Sequence, residues 1–450
     1  MGIARSELLR KLVHIGVGGF AFLLRDLPWW GAIALAVSAF LHNWLLLPRY
    51  GGRRLWRDPE HAKGYPLGIL LYPLAVLALV LVFPGESRWM AAAVWGLLAF
   101  GDGMASLVGQ LLGGPRLPWN ERKGWAGLLA FVFFGTLGAG VLAAWTLGMP
   151  VGMAVSPTVL GITLPLAALA ALVETMPTTL DDNLTVPLVG AIGLTLLAPA
   201  EWSRLLLDPE LPRRALLGFA INVAIALPAF LARSIDLPGA ASAVVIGTAI
   251  TASLGLPGLA LMVAFFVIGS AVTKLGYRIK LARGIAQERG GARGWRNAWA
   301  NGGVPALLAL LAGIAPGPVH GLFVLAYAAS VATAAADTCS SETGKAYGRR
   351  TFLITTLRPV LPGTEGAVSL EGTLGGLAGG FLVASVGALV GLYPWPAALV
   401  VGVAGLLGSL AESVVGTVAE RRGWLDNDQL NALNTAIGAG FAALIARALP

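Results

Sequence analysis

Charge is scarce in this 450-residue chain. Asp, Glu, Lys and Arg together make up 12% of it, about half the ~25% usual for a soluble domain. That scarcity excludes the row of soluble domains that length alone would suggest. Cysteine is nearly absent. The single Cys339 rules out an intramolecular disulfide and says nothing about redox compartment. Histidine is also rare, and His14, His42, His61 and His320 show no metal-ligand spacing, which argues against a zinc site. The chain lacks a Walker A loop and a protein-kinase glycine-rich signature. Gly344-Lys345 has no spaced upstream glycine. The first apolar stretch, from Leu12 to Leu24, has no small-residue cleavage site, so no cleavable secretory signal is expected.

What the chain does have is apolar sequence, 56% of it. Runs of about 17–25 apolar residues match a hydrocarbon core of ~30 Å. Clear cases are Trp29–Leu47, Leu67–Phe83, Gly127–Leu147, Leu216–Ala232 and Ala240–Ser253. In lipid each backbone amide needs an internal partner, so these runs are helices. The expectation is an all-α polytopic membrane protein with about 15 transmembrane helices. The net charge of +8 serves topology rather than nucleic acid. With the N-terminus inside, 25 of the 31 Lys and Arg fall on the cytoplasmic face, as the positive-inside rule requires. Arg53, Arg54, Arg57, Arg283, Arg289, Arg293 and Arg296 are read as topology and anionic-lipid contacts. The expected location is a bacterial-type inner membrane with the polar motifs facing the cytoplasm.

That face also carries polar clusters. They are Gly101-Asp102-Gly103-Met104-Ala105-Ser106, Trp119-Asn120-Glu121-Arg122-Lys123, Glu174 with Asp181-Asp182-Asn183, Asn301-Gly302-Gly303, Asp337 through Lys345, and Asp426-Asn427. A charge in or beside a span costs about 2.5–3.5 kcal/mol on insertion scales. Asp102 follows Leu97-Leu98-Ala99-Phe100, and Asp337 follows Ala334-Ala335-Ala336. Carboxylates at that cost suggest a site, although Asp102 could instead be a structural carboxylate paired with a buried Arg or a helix terminus. Asp181-Asp182-Asn183 could equally be a solvated cap.

The clusters recur in order. Asp102-x3-Ser106-x2-Gly109 matches Asp337-x3-Ser341-x2-Gly344 with identical spacing. Lys123 through Gly127 loosely matches Ser369 through Thr373, and Glu174 with Asp182-Asn183 matches Glu412 with Asp426-Asn427. The motifs lie on one face in both halves, so the repeats are parallel and distantly similar. Two domains are expected, 1–205 and 206–450. Acidic residues beside Ser, Asn and Gly-rich turns suit Mg²⁺ held jointly with phosphate oxygens. Lysine neutralises a transferring phosphoryl group.

The first half resembles the polyprenol, dolichol and phytol kinase family. The residues that carry this are Glu7-x2-Arg10-Lys11-x2-His14, Gly101-Asp102-Gly103-x-Ala105-Ser106-x2-Gly109, Asn120-x2-Lys123-Gly124-x2-Gly127, and Glu174 with Asp181-Asp182-Asn183. Lys123-Gly124 stands where Lys-Ser is usual, and Ala126 where an acidic residue is usual. The second half resembles the phytyl-phosphate kinase family. Its matching residues are Gly269-Ser270 with Thr273-Lys274, Ala300-Asn301-Gly302-Gly303, Asp337-Thr338 with Ser341-Glu342, Glu371-Gly372-Thr373, and Gly408-Ser409 with Glu412-Ser413.

The resemblances imply a natural fusion that phosphorylates an isoprenoid alcohol to the monophosphate and then to the diphosphate. They imply a nucleoside triphosphate donor, CTP, with Mg²⁺. Asp102, Lys123, Glu174, Asp337, Glu342 and Glu412 are the candidate catalytic residues, with Asp102, Asp182, Asp337 and Glu342 as metal ligands. Lys11, His14, Ser106, Asn120, Asp182 and Asn183 are candidate nucleotide or phosphate contacts in the first half. Lys274, Asn301, Ser341, Lys345, Arg358, Thr373 and Asn427 are those of the second. The alternatives are a lipid or isoprenoid transporter built from parallel repeats, a plan that does not by itself separate transporter from enzyme, and a cytidylyltransferase that forms a CDP-lipid.

Overall fold

The computed structural model describes residues 5–50, 56, 65–177, 180–198, 201, 204, 207–286, 294–364, 366–419 and 425–448. Arg53, Arg54, Arg57, Arg289 and Arg293, and the expected 205/206 boundary, lie outside the described residues. The chain divides into two compact units, Met1–Pro199 and Ala200–Pro450.

In the first unit, α1 (Arg5–Val17) runs into a tight 3₁₀ segment, followed by α2 (Trp29–Leu41) and α3 (Leu67–Val82). Helix α4 (Arg88–Gly96) passes through a π turn, Leu97–Asp102, into α5 (Gly103–Leu112). A short antiparallel hairpin follows, β1 (Arg116–Leu117) and β2 (Asn120–Gly124). Then come α6 (Trp125–Thr146), α7 (Pro157–Glu174) and α8 (Asp182–Leu197).

The second unit opens with α9 (Leu211–Leu231), α10 (Leu237–Lys274), α11 (Tyr277–Ala282) and α12 (Trp295–Ile314). Its later part repeats the earlier plan. A long helix, α13 (Gly317–Tyr347), leads to an antiparallel hairpin, β3 (Thr351–Leu353) and β4 (Ala367–Ser369), and then to α14 (Leu370–Leu389), α15 (Trp395–Ala419) and α16 (Asn427–Ala448). Among the described residues, 11 helices are long and apolar enough to cross a membrane, and Leu67–Val82 and Asp182–Leu197 are shorter apolar helices. The expected count of about 15 is close to this.

Local chemistry sets the helix ends. Asp181 accepts the Asn183 N–H at 2.9 Å, Asp236 the Gly239 N–H at 2.8 Å, and Ser369 the Gly372 N–H at 3.1 Å. These are N-caps in which a side-chain oxygen satisfies an orphan amide. At 1.5 Å per residue, the 38 residues of α10 are about twice as long as one crossing needs. Gly255 breaks the helix with φ 67°, a conformation open to glycine. The hydroxyl of Tyr327 donates to the Gly258 carbonyl just beyond the break at 2.7 Å.

Small residues let helices touch backbone to backbone, as expected where lipid offers no hydrophobic drive. A Cβ on Gly127 would sit 3.1 Å from the Ala105 carbonyl, and one on Gly372 would sit 2.9 Å from that of Ser340. The same joint thus follows the hairpin in both units. It shifts the sequence correspondence by one residue. Gly124 and Ser369 are the equivalent N-caps, so Gly127 matches Gly372 rather than Thr373.

Candidate functional sites

The π turn of the first unit ends on Asp102, and such turns concentrate at functional sites. Helix α1 brings Lys11 alongside it. The Lys11 ammonium donates to both carboxylate oxygens, at 3.0 and 3.2 Å. His14 lies one turn on. Its Nε2 is 3.4 Å from Asp102 Oδ2 and 3.1 Å from the Leu98 carbonyl. Lys11, Asp102 and Glu174 are 4–6% exposed.

A second ion pair lies beside the first. Lys123, from the hairpin, donates to the carboxylate and the carbonyl of Glu174 and lies 3.4 Å from Asp182 Oδ2. Burial alone would lower the Lys123 pKa, but Glu174 and Asp182 outweigh it and hold the ammonium above its ordinary value. The hairpin is pinned to the end of α7. Asn120 donates to the Thr175 carbonyl at 2.9 Å, and Trp119 to the Thr175 hydroxyl at 3.2 Å. Oxygens of Asp102, Glu174 and Asp182 all lie within 4.8 Å of one another. Asn183 Oδ1 is shielded from solvent without a hydrogen-bond partner, while its amide donates to Asp181 at 2.9 Å. Three carboxylates this close form a hard-oxygen donor set of the kind that could hold Mg²⁺. Ser106 sits half-buried one turn beyond Asp102. In this unit Lys11, His14, Asp102, Lys123, Glu174 and Asp182 come together, while Asn120 is taken up by Thr175.

The second unit places Asp337, Ser341, Lys345, Glu412 and Asn427 around one polar cavity of about 110 Å³. The two N-terminal residues Asp182 and Asn427 open equivalent helices, α8 and α16. The third carboxylate of the first unit is therefore an amide here. Glu342 does not line the cavity; it forms an ion pair with Lys280, at 2% and 1% exposure, and Lys280 also donates to the Thr273 carbonyl at 2.6 Å. Lys274 is exposed at the end of α10, and Arg358 is exposed on the hairpin loop. Thr373 lies in the first turn of α14, away from the cavity lining. Asn301 lines a separate apolar cavity of about 110 Å³ with Asn222 and Asn297. Sequence reasoning missed Thr351, a residue of the polar cavity's lining; a lone threonine in a three-residue strand gives no signal.

These features define a many-pass helical membrane protein with two polar centres built on one repeated plan. The family described as integral membrane protein DUF92 matches residues 220–439. An uncharacterized membrane protein of Synechocystis sp. is 45% identical over 199 residues, which are 44% of this chain and 77% of that one. The chain belongs to this integral membrane family. Protein VTE6 (chloroplastic) of Arabidopsis thaliana is 39% identical over 220 residues, 48% of this chain and 66% of its own length. Probable phytol kinase 2 (chloroplastic) of Glycine max is 33% identical over 193 residues, 41% of this chain and 64% of its own. The chain thus spans about two thirds of the length of these two plant relatives. No solved structure matches it.

Proposed function

We propose that the chain is a membrane kinase of isoprenoid alcohols that carries out two successive phosphoryl transfers. The first unit converts the alcohol to the monophosphate, and the second converts the monophosphate to the diphosphate. The observation that carries this reading is the repeated plan. It sets Asp102, Glu174 and Asp182 together in one unit and Asp337, Glu412 and Asn427 together in the other. Similarity to a probable phytol kinase supports the alcohol as substrate.

Mg²⁺, when bound, would supply positive charge to offset that of the phosphates. Asp102, Asp182 and Asn183 would hold it in the first unit, and Asp337 with Asn427 in the second. Lys123 leaves the Glu174 pair to meet the transferring phosphoryl group. The alcohol oxygen attacks the terminal phosphorus of the donor, and the bond to the bridging oxygen breaks. Glu174 takes the hydroxyl proton, and the nucleoside diphosphate departs. In the second unit a phosphate oxygen is the nucleophile, so no strong base is needed. Lys345 offsets the charge there.

The test supplies purified protein in lipid with labelled geranylgeraniol, CTP and Mg²⁺. Monophosphate followed by diphosphate, with CDP released, is the expected result. Pyrophosphate release would indicate cytidylyl transfer instead, and no nucleotide turnover with CTP, ATP, GTP or UTP would overturn the kinase reading.

A further inference from the structure

The two units share one plan, so the places where they differ carry information. Gly124 and Ser369 hold the same place. Each ends a second strand and N-caps the following helix, and each pairs across its hairpin with the first residue of the first strand, Arg116 and Thr351 respectively. In the first unit this pair offers the site nothing. Gly124 has no side chain, and the exposed Arg116 guanidinium is turned to the Arg122 carbonyl at 3.4 Å. In the second unit both members are hydroxyls, and both line the polar cavity.

Ser369 Oγ accepts the Gly372 N–H, which leaves its own proton free to donate. Thr351 is 9% exposed, and its Oγ1 is closed off from solvent with no hydrogen-bond partner. A buried hydroxyl left without a partner is costly. The cavity is larger than the ~30 Å³ share of one water. Helix α14, 20 residues long, begins at this point and directs the positive end of its dipole there.

We propose that Thr351, Ser369 and the N-terminus of α14 form the subsite for the phosphate that the second unit's substrate already carries. This rests on the two-step reading above. Both units need a donor nucleotide, and both set carboxylates in their polar centre. Only the second unit meets an acceptor bearing phosphate, and only it has the hydroxyl pair. The anion is the phosphomonoester of a prenyl lipid; the donor's own phosphates are the competing source.

The experiment uses full-length protein in lipid nanodiscs. Labelled geranylgeranyl monophosphate is titrated without nucleotide, and KM is then measured separately for monophosphate and for CTP. Loss of a hydrogen bond to a charged group predicts about tenfold to a hundredfold weaker monophosphate binding for Thr351→Val. The KM for CTP should stay unchanged, and Thr351→Ser should restore binding. Ser369→Gly copies Gly124 and keeps a tolerated cap; it should weaken monophosphate binding too, and it decides the matter if Thr351→Val fails to fold. A rise confined to the KM for CTP would place the donor there and overturn the proposal. Unchanged monophosphate binding in both variants would leave the cavity to water and also overturn it. The binding arm needs no turnover. Wild-type protein that binds monophosphate without phosphorylating it would sink the two-step reading and spare the subsite.

Discussion

The side chains that mattered were those too costly to place in apolar sequence without a reason. Asp102 and Asp337 end alanine- and leucine-rich runs, and each lies in a polar centre. Their cost in lipid made them legible. The lysine partner of Glu342 was not. Lys274 and Lys280 lie six residues apart, and sequence gives no means to choose between them. The choice is made by Gly276, in the left-handed region at φ 62°, which turns α11 so that Lys280 meets Glu342. That pair is sealed from solvent, so removing Lys280 takes from the buried Glu342 carboxylate the cation that offsets its charge. Lys280→Met should cost about 3–5 kcal/mol of stability, whereas Lys280→Met with Glu342→Leu should recover most of it. Thermal unfolding in detergent reads both; equal losses in the single and double variants would show the pair is not the cause.

Helices were legible from run length, since lipid permits little else. The hairpins were not. Strands of two to five residues such as Arg116–Leu117 and Asn120–Gly124 show no alternation of apolar and polar residues for periodicity to detect. Their importance comes from what they join. Each hairpin ends at a cap and is followed within one turn by a glycine pressed on a neighbouring helix backbone. Gly372→Val puts carbon where the Ser340 carbonyl already lies at 2.9 Å from the first added atom. The joint must open, displacing Ser369 and the cavity wall. The expected outcome is accumulation of monophosphate with little diphosphate while alcohol phosphorylation continues. Chromatography of labelled products checks this; undiminished diphosphate would contradict it.

At the scale of the whole molecule, an apolar chain carries its charge in two similar sets. The repeat was legible because Asp102-x3-Ser106-x2-Gly109 and Asp337-x3-Ser341-x2-Gly344 share their spacing. The substitution of Asn427 for the third carboxylate acquires meaning only once α8 and α16 are seen to begin equivalently. The distribution of Lys and Arg predicts that both hairpins face one side of the membrane. Cys339 is buried, so cysteines placed at the exposed Arg116 and Arg358 can report with an impermeant maleimide. Both should label from the cytoplasmic side; labelling from opposite sides would contradict the parallel repeat.

The division of labour between the two centres is tested most directly by substituting one aspartate at a time. Purified Asp102→Ala and Asp337→Ala proteins are each given labelled geranylgeraniol, and separately its monophosphate, with CTP and Mg²⁺. Asp102→Ala should form no monophosphate from alcohol yet still convert supplied monophosphate to diphosphate. Asp337→Ala should make monophosphate and stop there. Diphosphate formed from alcohol by both variants would contradict the account.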